Sequence, residues 1–210
     1  VRRRWPDAEM MMGVGNLTEL TDVDSAGVNV LLLAICQELG VRSVLTTEVV
    51  NWARSSVREC DLARRLVRHA LTHRVLPKHL ETGLVMLRDA RLRDAPADDL
   101  QRLAAQIRDR NFRIFADAGQ LHLLSAQLLL SDADPFALFD RLRETNPTNL
   151  DAAHAFYLGY EMCKAAIALQ LGKNYEQDVA LDWGILTVDE QRHRLSPDGG
   201  RRPRAAEDAP

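Results

Sequence analysis

The sequence has too few cysteines, too widely spaced, for a zinc site or a disulfide framework. Its three cysteines are Cys36, Cys60 and Cys163, each within a predicted helix and none near another. Short paired spacings are typical of zinc ligands, and an even number of cysteines is typical of small secreted domains. Buried free thiols are the ordinary state in a reducing compartment, so we expect a cytoplasmic protein.

The sequence also lacks a basic excess, a long apolar run and the short motifs of common enzymes. The formal net charge is -3, whereas nucleic-acid binding requires a basic field, so nucleic acid is not expected as a partner. No apolar run reaches the roughly 18 residues of a membrane span. Walker, GxSxG, HExxH and complete GxGxxG motifs are missing. No metal site is expected either.

The chain begins VRRRWP, without an initiator methionine and without a signal-peptide pattern. We therefore expect it to be a piece of a longer protein.

Short apolar segments alternate with amphipathic patterns over the first 94 residues. Residues 9–14, 41–50 and 83–89 predict buried strands, separated by two helices. This βαβαβ order is typical of a parallel sheet covered by helices. In such folds, polar site residues gather at the carboxyl ends of the strands.

Helix-capping patterns mark the starts of the two helices. Asp24 or Ser25 can cap the first, and Ser56 with Glu59 has the S-x-x-E spacing of a capping box at the second. The first helix is expected to bury one apolar stripe, consisting of Val28, Leu31, Leu32, Ile35 and Leu39.

A second pattern begins near RDAPADD, which reads as a linker. We predict a domain boundary after residue 94, a small α+β domain over residues 95–195 and a disordered tail over residues 196–210. Within the small domain, FRIFAD and LHLLSA predict a β-hairpin. One helix begins near Pro96, a second opens at Asp134, and a long helix spans residues 151–171.

Polar residues crowd the gap between the first strand and the first helix. They are Asn16, Thr18, Glu19, Asp22 and Asp24. An asparagine amide offers a donor and an acceptor to a heterocycle, and carboxylates accept from its N–H groups. Turn formation and helix capping are the alternative, but Asn16, Thr18 and Glu19 lie too far upstream to cap the helix.

A second polar group, Thr46, Thr47 and Glu48, follows the second strand, where ordinary strand residues are the alternative. Nearby, Arg54 and Arg58 are candidates for an anion site beside a helix N-terminus.

Two further groups of candidates lie later in the chain. Arg88, at the end of the third predicted strand, could hold a phosphate, or it could form an ion pair between elements. On the long helix, His154, Tyr157, Glu161 and Lys164 share one face. They either line a site or form internal contacts, such as a Glu161–Lys164 pair.

The run MMMGVGNLTELTDVDSAGVNVLL resembles the sixth strand, loop and helix of the pterin-binding (β/α)8 barrel family. That family includes dihydropteroate synthase and the corrinoid-dependent methyltetrahydrofolate methyltransferases. Gly13-Val14-Gly15-Asn16-Leu17-Thr18, with Asn29 downstream, is similar to the G-x-S-N-x-S/T pattern of the methyltransferases. The resemblance implies that Asn16 hydrogen-bonds a pterin ring.

The chain is more closely similar to the dihydropteroate synthase-like proteins linked to tetrahydromethanopterin biosynthesis. The matching runs are GNLTELTDVDSAGVN, LTTEVVNWARSSVRECDLAR, LPKH and HAFYLGYEMCKAAIALQLGKNYEQD, the last resembling the group's small C-terminal domain. The resemblance implies an α/β fold made of the C-terminal three βα units of a TIM barrel, followed by a small α+β domain. True dihydropteroate synthase has a basic stretch where this chain has Asn16-Leu17-Thr18-Glu19, which puts diphosphate chemistry in question.

The resemblance implies binding of a reduced pterin, and no cofactor is required. Asn16 would orient the pterin, and Glu19 or Asp22 would accept from its N–H groups. Thr18, Thr47 and Glu48 complete the expected pterin site, while Arg54, Arg58 or Arg88 would hold an anionic leaving group. Two functions stay open at this point: a transferase that moves a pterinylmethyl group onto an arylamine, and a non-catalytic pterin or one-carbon carrier. A homodimer formed through the C-terminal helix is a third possibility.

Overall fold

A computed structural model describes residues 1–21 and 23–190, and these form a mixed α/β structure of helices and small sheets. The chain divides into two compact units. The first comprises Val1–Met86 and Trp183–Thr187, and the second comprises Leu87–Asp182 with the described residues from Val188 onward. The division therefore falls after Met86, earlier than the predicted boundary after residue 94. The tail predicted at residues 196–210 lies outside the described residues.

The first unit contains two parallel strands, each followed by helix. Its elements are β1 (Met11–Gly13), α1 (Gly15–Thr21), α2 (Ser25–Glu38), β2 (Ser43–Leu45) and α3 (Ser56–His73). Met11 pairs with Ser43 and Gly13 with Leu45 in parallel register. The first two predicted strands and both predicted helices are thus confirmed, and α1 is an additional helix where a loop was expected.

The third predicted strand, at residues 83–89, is wrong. No strand forms there in the described structure, and no closed barrel is present among residues 1–21 and 23–190. Instead the Gly83 carbonyl accepts a hydrogen bond of 2.7 Å from the Ile185 N–H. A strand exists only where a neighbouring backbone pairs along it, and here the neighbour is a short 3-10 turn, Gly184–Leu186.

Burial in the first unit also differs from the prediction. Both strands were expected to be buried, yet Met11 is 67% exposed and Leu45 is 52% exposed. The core of the unit lies on one side of the strands. It consists of Val14, Leu33, Cys60 and Ala63, with Met12, Val30 and Leu32 packed against it.

The predicted apolar stripe of α2 does not form the buried face. Leu31, Ile35 and Leu39 are exposed, whereas Ala26, Asn29, Leu33 and Cys36 are buried. Because α2 is apolar on nearly every side, periodicity alone does not select the inward face. The polar Asn29 turns inward because the first unit supplies hydrogen-bond partners for its amide there.

The second unit is a three-stranded antiparallel sheet with helices on both faces. Its elements are α4 (Ala97–Gln106), β3 (Arg113–Asp117), β4 (Gln120–Ser125), β5 (Leu128–Asp132), α5 (Pro135–Glu144) and α6 (Ala152–Leu171). The strands follow the order β3-β4-β5. Leu121 and Leu123 face α5 and α6, while Leu124 faces α4. The predicted hairpin and all three predicted helices are confirmed, and β5 is an additional strand.

The helix ends of the second unit follow local chemistry. The Asp134 side chain accepts from the Phe136 N–H at 2.9 Å, ahead of Pro135 at the first turn of α5. Asp151 caps α6 in the same way through the His154 N–H at 2.7 Å. Gly172 ends α6 in a left-handed conformation, with φ of 72°. In the described part of the chain, no helix is long and apolar enough to cross a membrane.

Candidate functional site

The carboxyl ends of β1 and β2 lie side by side and bring together the polar residues that follow each strand. Gly15 packs on the chain after β2, since a Cβ atom there would lie 3.1 Å from the Thr47 nitrogen and 3.3 Å from the Thr46 side chain. A Cβ at residue 15 would require the neighbouring chain to shift by a few tenths of an ångström, so glycine favours this close approach. The Thr47 hydroxyl then donates a hydrogen bond to Glu19. The two predicted polar groups therefore meet at one edge, which we call the carboxyl edge.

Asn16 lies at the carboxyl edge, and its side-chain amide is exposed. It lies in the first turn of α1, is exposed and makes no hydrogen bond with any described residue. Its Oδ1 lies over Gly13, 3.3 Å from where a Cβ of that glycine would be. Its donor and acceptor are available to a ligand. Asp22 lies outside the described residues.

Thr18 is positioned differently from the exposed Asn16. It is fully buried, and its carbonyl accepts a 3.0 Å hydrogen bond from the Trp52 Nε1. Its hydroxyl has no partner among the described residues. Since buried polar atoms are almost always satisfied, this hydroxyl calls for a water or a ligand group.

A buried carboxylate, Glu59, anchors the interior beneath the carboxyl edge. Glu59 is 2% exposed. It accepts hydrogen bonds from the Ser25 Oγ at 2.5 Å, the Asn29 Nδ2 at 3.0 Å and the Ser55 Oγ at 2.6 Å. A carboxylate offers about four acceptor positions, so one remains. In the described structure no cation accompanies it.

Asn29 extends the network to the chain after β2. Its Nδ2 also donates to the Ser56 Oγ at 3.0 Å, and Ser56 shares a 2.8 Å hydrogen bond with Thr46. The Asn29 Oδ1 is fully buried and has no partner among the described residues. Burial raises the pKa of the Cys60 thiol, and the neighbouring Glu59 carboxylate raises it further. Because the thiolate is the reactive form, a raised pKa makes Cys60 a packing residue.

The residues that sequence reasoning missed are Ser25, Asn29, Ser56 and Glu59. The signal was visible, because Ser56 and Glu59 have capping-box spacing and Ser25 stands at a helix start. The structure turns Glu59 inward, and no side-chain cap bond forms at the start of α2. Residues that match helix-capping patterns in the sequence thus belong to a buried polar network in the structure.

The basic residues of the first unit lie outside this network. Arg54 and Arg58 are exposed and form no ion pair with the described residues. The N-terminus of α3, where an anion was expected, already receives the Glu48 carboxylate, which accepts from the Val57 N–H at 3.0 Å. The carboxyl edge is therefore rich in acceptors and poor in fixed cations. It suits a ligand with several N–H groups better than a pyrophosphate.

Arg88 belongs to the second unit, where it is exposed and without an ion pair to the described residues. Its neighbour Asp89 is a structural anchor. The Asp89 carboxylate accepts from the Lys173 Nζ at 3.0 Å and from the backbone and side-chain nitrogens of Asn174, each at 2.8 Å. Burial raises the pKa of Asp89, but these hydrogen bonds outweigh it and the pKa is lowered.

This anchor predicts a pH dependence of stability. The folded pKa of Asp89 lies below the unfolded value of about 3.9, so its contribution is present above that value and is lost as the pH falls through the folded pKa. Asp89→Asn should cost about 1–3 kcal/mol near pH 7 and much less near pH 3. Urea unfolding from pH 7 to pH 3 measures this. Asp94→Asn, at an exposed aspartate, is the control, and parallel profiles for Asp89→Asn and wild type would contradict the prediction.

The four candidates on α6 form internal contacts. The His154 Nδ1 lies 2.6 Å from the Asn149 carbonyl. The Tyr157 hydroxyl donates to Asp178 at 2.9 Å and accepts from Gln177 at 2.7 Å. Burial is the main cause that raises the pKa of Tyr157. These groups hold the segment after α6 in place.

Glu161 and Lys164 complete this set as a buried pair. The Lys164 Nζ lies 2.9 Å from Glu161 and 2.7 Å from Glu190, and Glu161 also accepts from the Tyr175 hydroxyl at 2.7 Å. Burial lowers the pKa of the Lys164 ammonium, but its hydrogen bonds to Glu190 and Glu161 outweigh this and the pKa is raised. Of the two alternatives left open by the sequence, the structure has the internal ion pair.

The last four residues of the fourth matching run, YEQD at residues 175–178, also have a structural role. Gln177 accepts from the Ile114 N–H at 2.8 Å and donates to the Phe112 carbonyl at 3.2 Å. β3 is an edge strand, so this side chain satisfies backbone groups that lack a neighbouring strand. The run is therefore explained by packing of the second unit.

A comparison with known proteins finds an archaeal relative. The chain is 31% identical over 190 residues to an uncharacterized protein of Methanocaldococcus jannaschii, and the match covers 82% of this chain and 36% of the relative. The chain thus spans about a third of the length of the curated relative it matches. No family model matches the chain, and no solved structure gives a significant match.

Proposed function

We propose that the first unit is the C-terminal part of a pterin-binding (β/α)8 barrel, and that its carboxyl edge binds a reduced pterin. The support is the arrangement of β1 and β2, whose parallel carboxyl ends carry the polar residues, as ligand-binding α/β folds do. Residues 83–89, the position of the last expected barrel strand, form no strand in the described structure. The relative's greater length is compatible with further strands elsewhere in a longer protein.

The single observation that carries the proposal is the unused hydrogen-bonding capacity at this edge. The Asn16 amide is exposed without a partner, and the Asn29 Oδ1 and Thr18 Oγ1 are buried without partners among the described residues. A pterin presents ring and amino N–H groups together with ring acceptors. Asn16 would orient the ring, and Glu19 or a spare acceptor of the buried network would receive its N–H groups.

Within this proposal we favour a role in tetrahydromethanopterin biosynthesis, as a dihydropteroate synthase-like transferase. The amine nitrogen of an arylamine would bond to the pterin methylene carbon, while the bond from that carbon to a diphosphate leaving group breaks and the amine loses a proton. The protein's task is then positioning, because the amine itself is the nucleophile. Arg54 and Arg58, which are exposed near the start of α3, would hold the leaving group.

A non-catalytic pterin carrier is the second candidate. The observation in its favour is that Glu48 occupies the N-terminus of α3 and that the Glu59 network contains no cation. Release of diphosphate on mixing a pterin diphosphate ester with an arylamine separates the two. A transferase releases it in proportion to the product formed, and a carrier releases none.

The proposed site predicts a large effect of Asn16→Ala on pterin affinity. Loss of the amide should weaken dihydropterin binding by about 1–3 kcal/mol, because a partner group is left unpaired. Calorimetric titration with a dihydropterin measures it. Asn51→Ala, at another exposed asparagine of the first unit, is the matched control and should bind like wild type.

Titration with and without diphosphate extends this experiment. Pterin binding strengthened by diphosphate, and less so in Arg54→Ala and Arg58→Ala, supports the transferase. Equal affinity of Asn16→Ala and Asn51→Ala removes Asn16 from the site. If the wild-type protein binds no dihydropterin, the proposed function is wrong.

A further inference from the structure

The hydroxyl of Thr46 lies at the carboxyl edge, beside the chain that carries Asn16. Thr46 directly follows β2 and is partly exposed. Its Oγ1 lies 3.3 Å from where a Cβ of Gly15 would be, and Gly15 immediately precedes Asn16. Because Gly15 has no side chain, it leaves the Thr46 hydroxyl uncovered on this side. The exposed Asn16 amide and the Thr46 hydroxyl are therefore neighbours at the edge.

The buried network determines how the side chains beneath Thr46 are oriented. The Glu59 carboxylate accepts a hydrogen bond from the Asn29 Nδ2 at 3.0 Å. The same nitrogen donates to the Ser56 Oγ, also at 3.0 Å. The donor side of the Asn29 amide thus faces Glu59 and Ser56, since a carboxylate can only accept. The Ser56 oxygen is in turn an acceptor in its bond with Asn29.

This orientation assigns the direction of the bond between Ser56 and Thr46. Ser56 is fully buried, and the oxygen within reach of its hydroxyl proton in the described structure is the Thr46 Oγ1 at 2.8 Å. The Cys60 thiol also lies near both hydroxyls, but sulfur is a weak acceptor. If Thr46 were the donor, the buried Ser56 proton would have no oxygen acceptor among the described residues. Ser56 therefore donates, and the Thr46 proton stays available.

The other side chains of the carboxyl edge supply few donors. The Thr47 hydroxyl already donates to Glu19, and the Thr18 hydroxyl is fully buried. The accessible side-chain donors of the described edge are then the Asn16 amide and the Thr46 hydroxyl. A pterin presents a ring carbonyl oxygen as well as N–H groups, so an edge that offered acceptors alone would leave that oxygen unpaired.

We infer that Thr46 is a ligand-binding residue whose hydroxyl donates to the ring carbonyl oxygen of the pterin. Ser56 is a positioning residue, because it acts on the ligand through Thr46 by orienting this hydroxyl. The inference rests on the proposed pterin site and adds to it a donor that the sequence did not single out. Glu59 sets the direction of the whole series of hydrogen bonds, since it is the acceptor at its buried end.

Calorimetric titration with a dihydropterin compares two replacements of Thr46. Thr46→Val keeps the shape of the side chain but removes the hydroxyl, and it should raise the dissociation constant about fivefold or more. Thr46→Ser keeps the hydroxyl and should bind within about twofold of wild type. Thr72→Val, at an exposed threonine of α3, is the matched control and should bind like wild type.

A double-mutant cycle tests the orienting role of Ser56. Ser56→Ala should raise the dissociation constant for the dihydropterin by about two- to fivefold, and circular dichroism checks that the variant is folded. In the Thr46→Val background the same replacement should have no further effect on affinity, because Ser56 acts through the Thr46 hydroxyl. An equal effect in both backgrounds overturns this role.

An analogue identifies the ligand atom that Thr46 contacts. Dihydro-2,4-diaminopteridine has an amino group in place of the ring carbonyl, so Thr46→Val should weaken its binding at least about threefold less than that of the dihydropterin. Equal losses for the two compounds overturn the contact with the carbonyl. If wild type and Thr46→Val bind the dihydropterin equally, this inference alone is wrong. If wild type binds no dihydropterin, the proposed function is wrong and this inference with it.

Discussion

Replacing Glu161 by alanine should cost the second unit about 3–5 kcal/mol of unfolding free energy. Glu161 is 2% exposed and links α6 to the segment that follows it, through Lys164, Tyr175 and the Asp178 N–H. Without the carboxylate, the buried Lys164 keeps Glu190 as its one anionic partner among the described residues, and the Tyr175 hydroxyl loses its Glu161 acceptor. Breaking a buried pair in this way leaves a charge that water cannot reach.

Urea unfolding of Glu161→Ala, followed by circular dichroism and by tyrosine absorbance, measures the loss, because the three tyrosines lie in the second unit and the three tryptophans in the first. Glu176→Ala is the matched control, because Glu176 pairs with Arg93 at the surface and both side chains are more than half exposed. Such a pair contributes no more than about 1 kcal/mol. Equal midpoints for the two variants would show that the α6 network is not a main source of stability.

Gly184→Ala should detach the turn Gly184–Leu186 from the rest of the first unit. A Cβ at residue 184 would lie 2.4 Å from the Leu84 carbonyl oxygen and 2.7 Å from the Gly83 carbonyl oxygen. Both obstacles are backbone atoms, so neither can rotate away. The residue also has φ of 62°, which alanine disfavours by about 1–2 kcal/mol.

Hydrogen exchange at the Ile185 N–H is the direct measurement. In wild type this group donates to the Gly83 carbonyl, and in Gly184→Ala its protection should fall to that of an open segment. Gly119→Ala is the control, because Gly119 has φ of 77° but nothing within 4 Å of a Cβ. Gly119→Ala therefore measures the cost of backbone strain alone, without a steric clash. If the two variants lose the same stability and Ile185 stays protected, the packing of this turn is less rigid than described.

Local signals were reliable in the second unit. Asp134 followed by Pro135 marked the start of α5, and Gly172 marked the end of α6, because caps and left-handed termini depend on neighbouring residues. The strand β5 was not predicted, because the turn between β4 and β5 has Gln127 at φ of 56°. A glycine or asparagine at that position would have been the usual sign of a hairpin turn. Hydrogen bonding to β4 stabilises β5, although the residues of the turn do not predict a hairpin.

The candidate site was predicted in part. The positions of Asn16, Glu19 and Thr47 after the two strands were correct, and Glu19 and Thr47 do meet. Glu59 was assigned to a capping box and Asn29 to a family pattern in α2, because inward polar contacts depend on which face of each helix packs. The α6 residues were expected either to line a site or to form internal contacts, and the structure has the internal contacts.

Sequence by itself determined where most of the helices other than α1 begin and end, and which two segments become parallel strands. It also determined that hydrogen-bond acceptors outnumber basic side chains in the segments that follow those strands. These features follow from capping chemistry, side-chain period and composition, all of which act over a few residues. Tertiary structure alone decided that residues 83–89 form no strand and that Asn29 turns inward to Glu59. It also decided that Glu161 and Lys164 are buried as a pair. Each of these depends on groups distant in sequence, since a strand needs a neighbouring backbone and a buried polar group needs a partner.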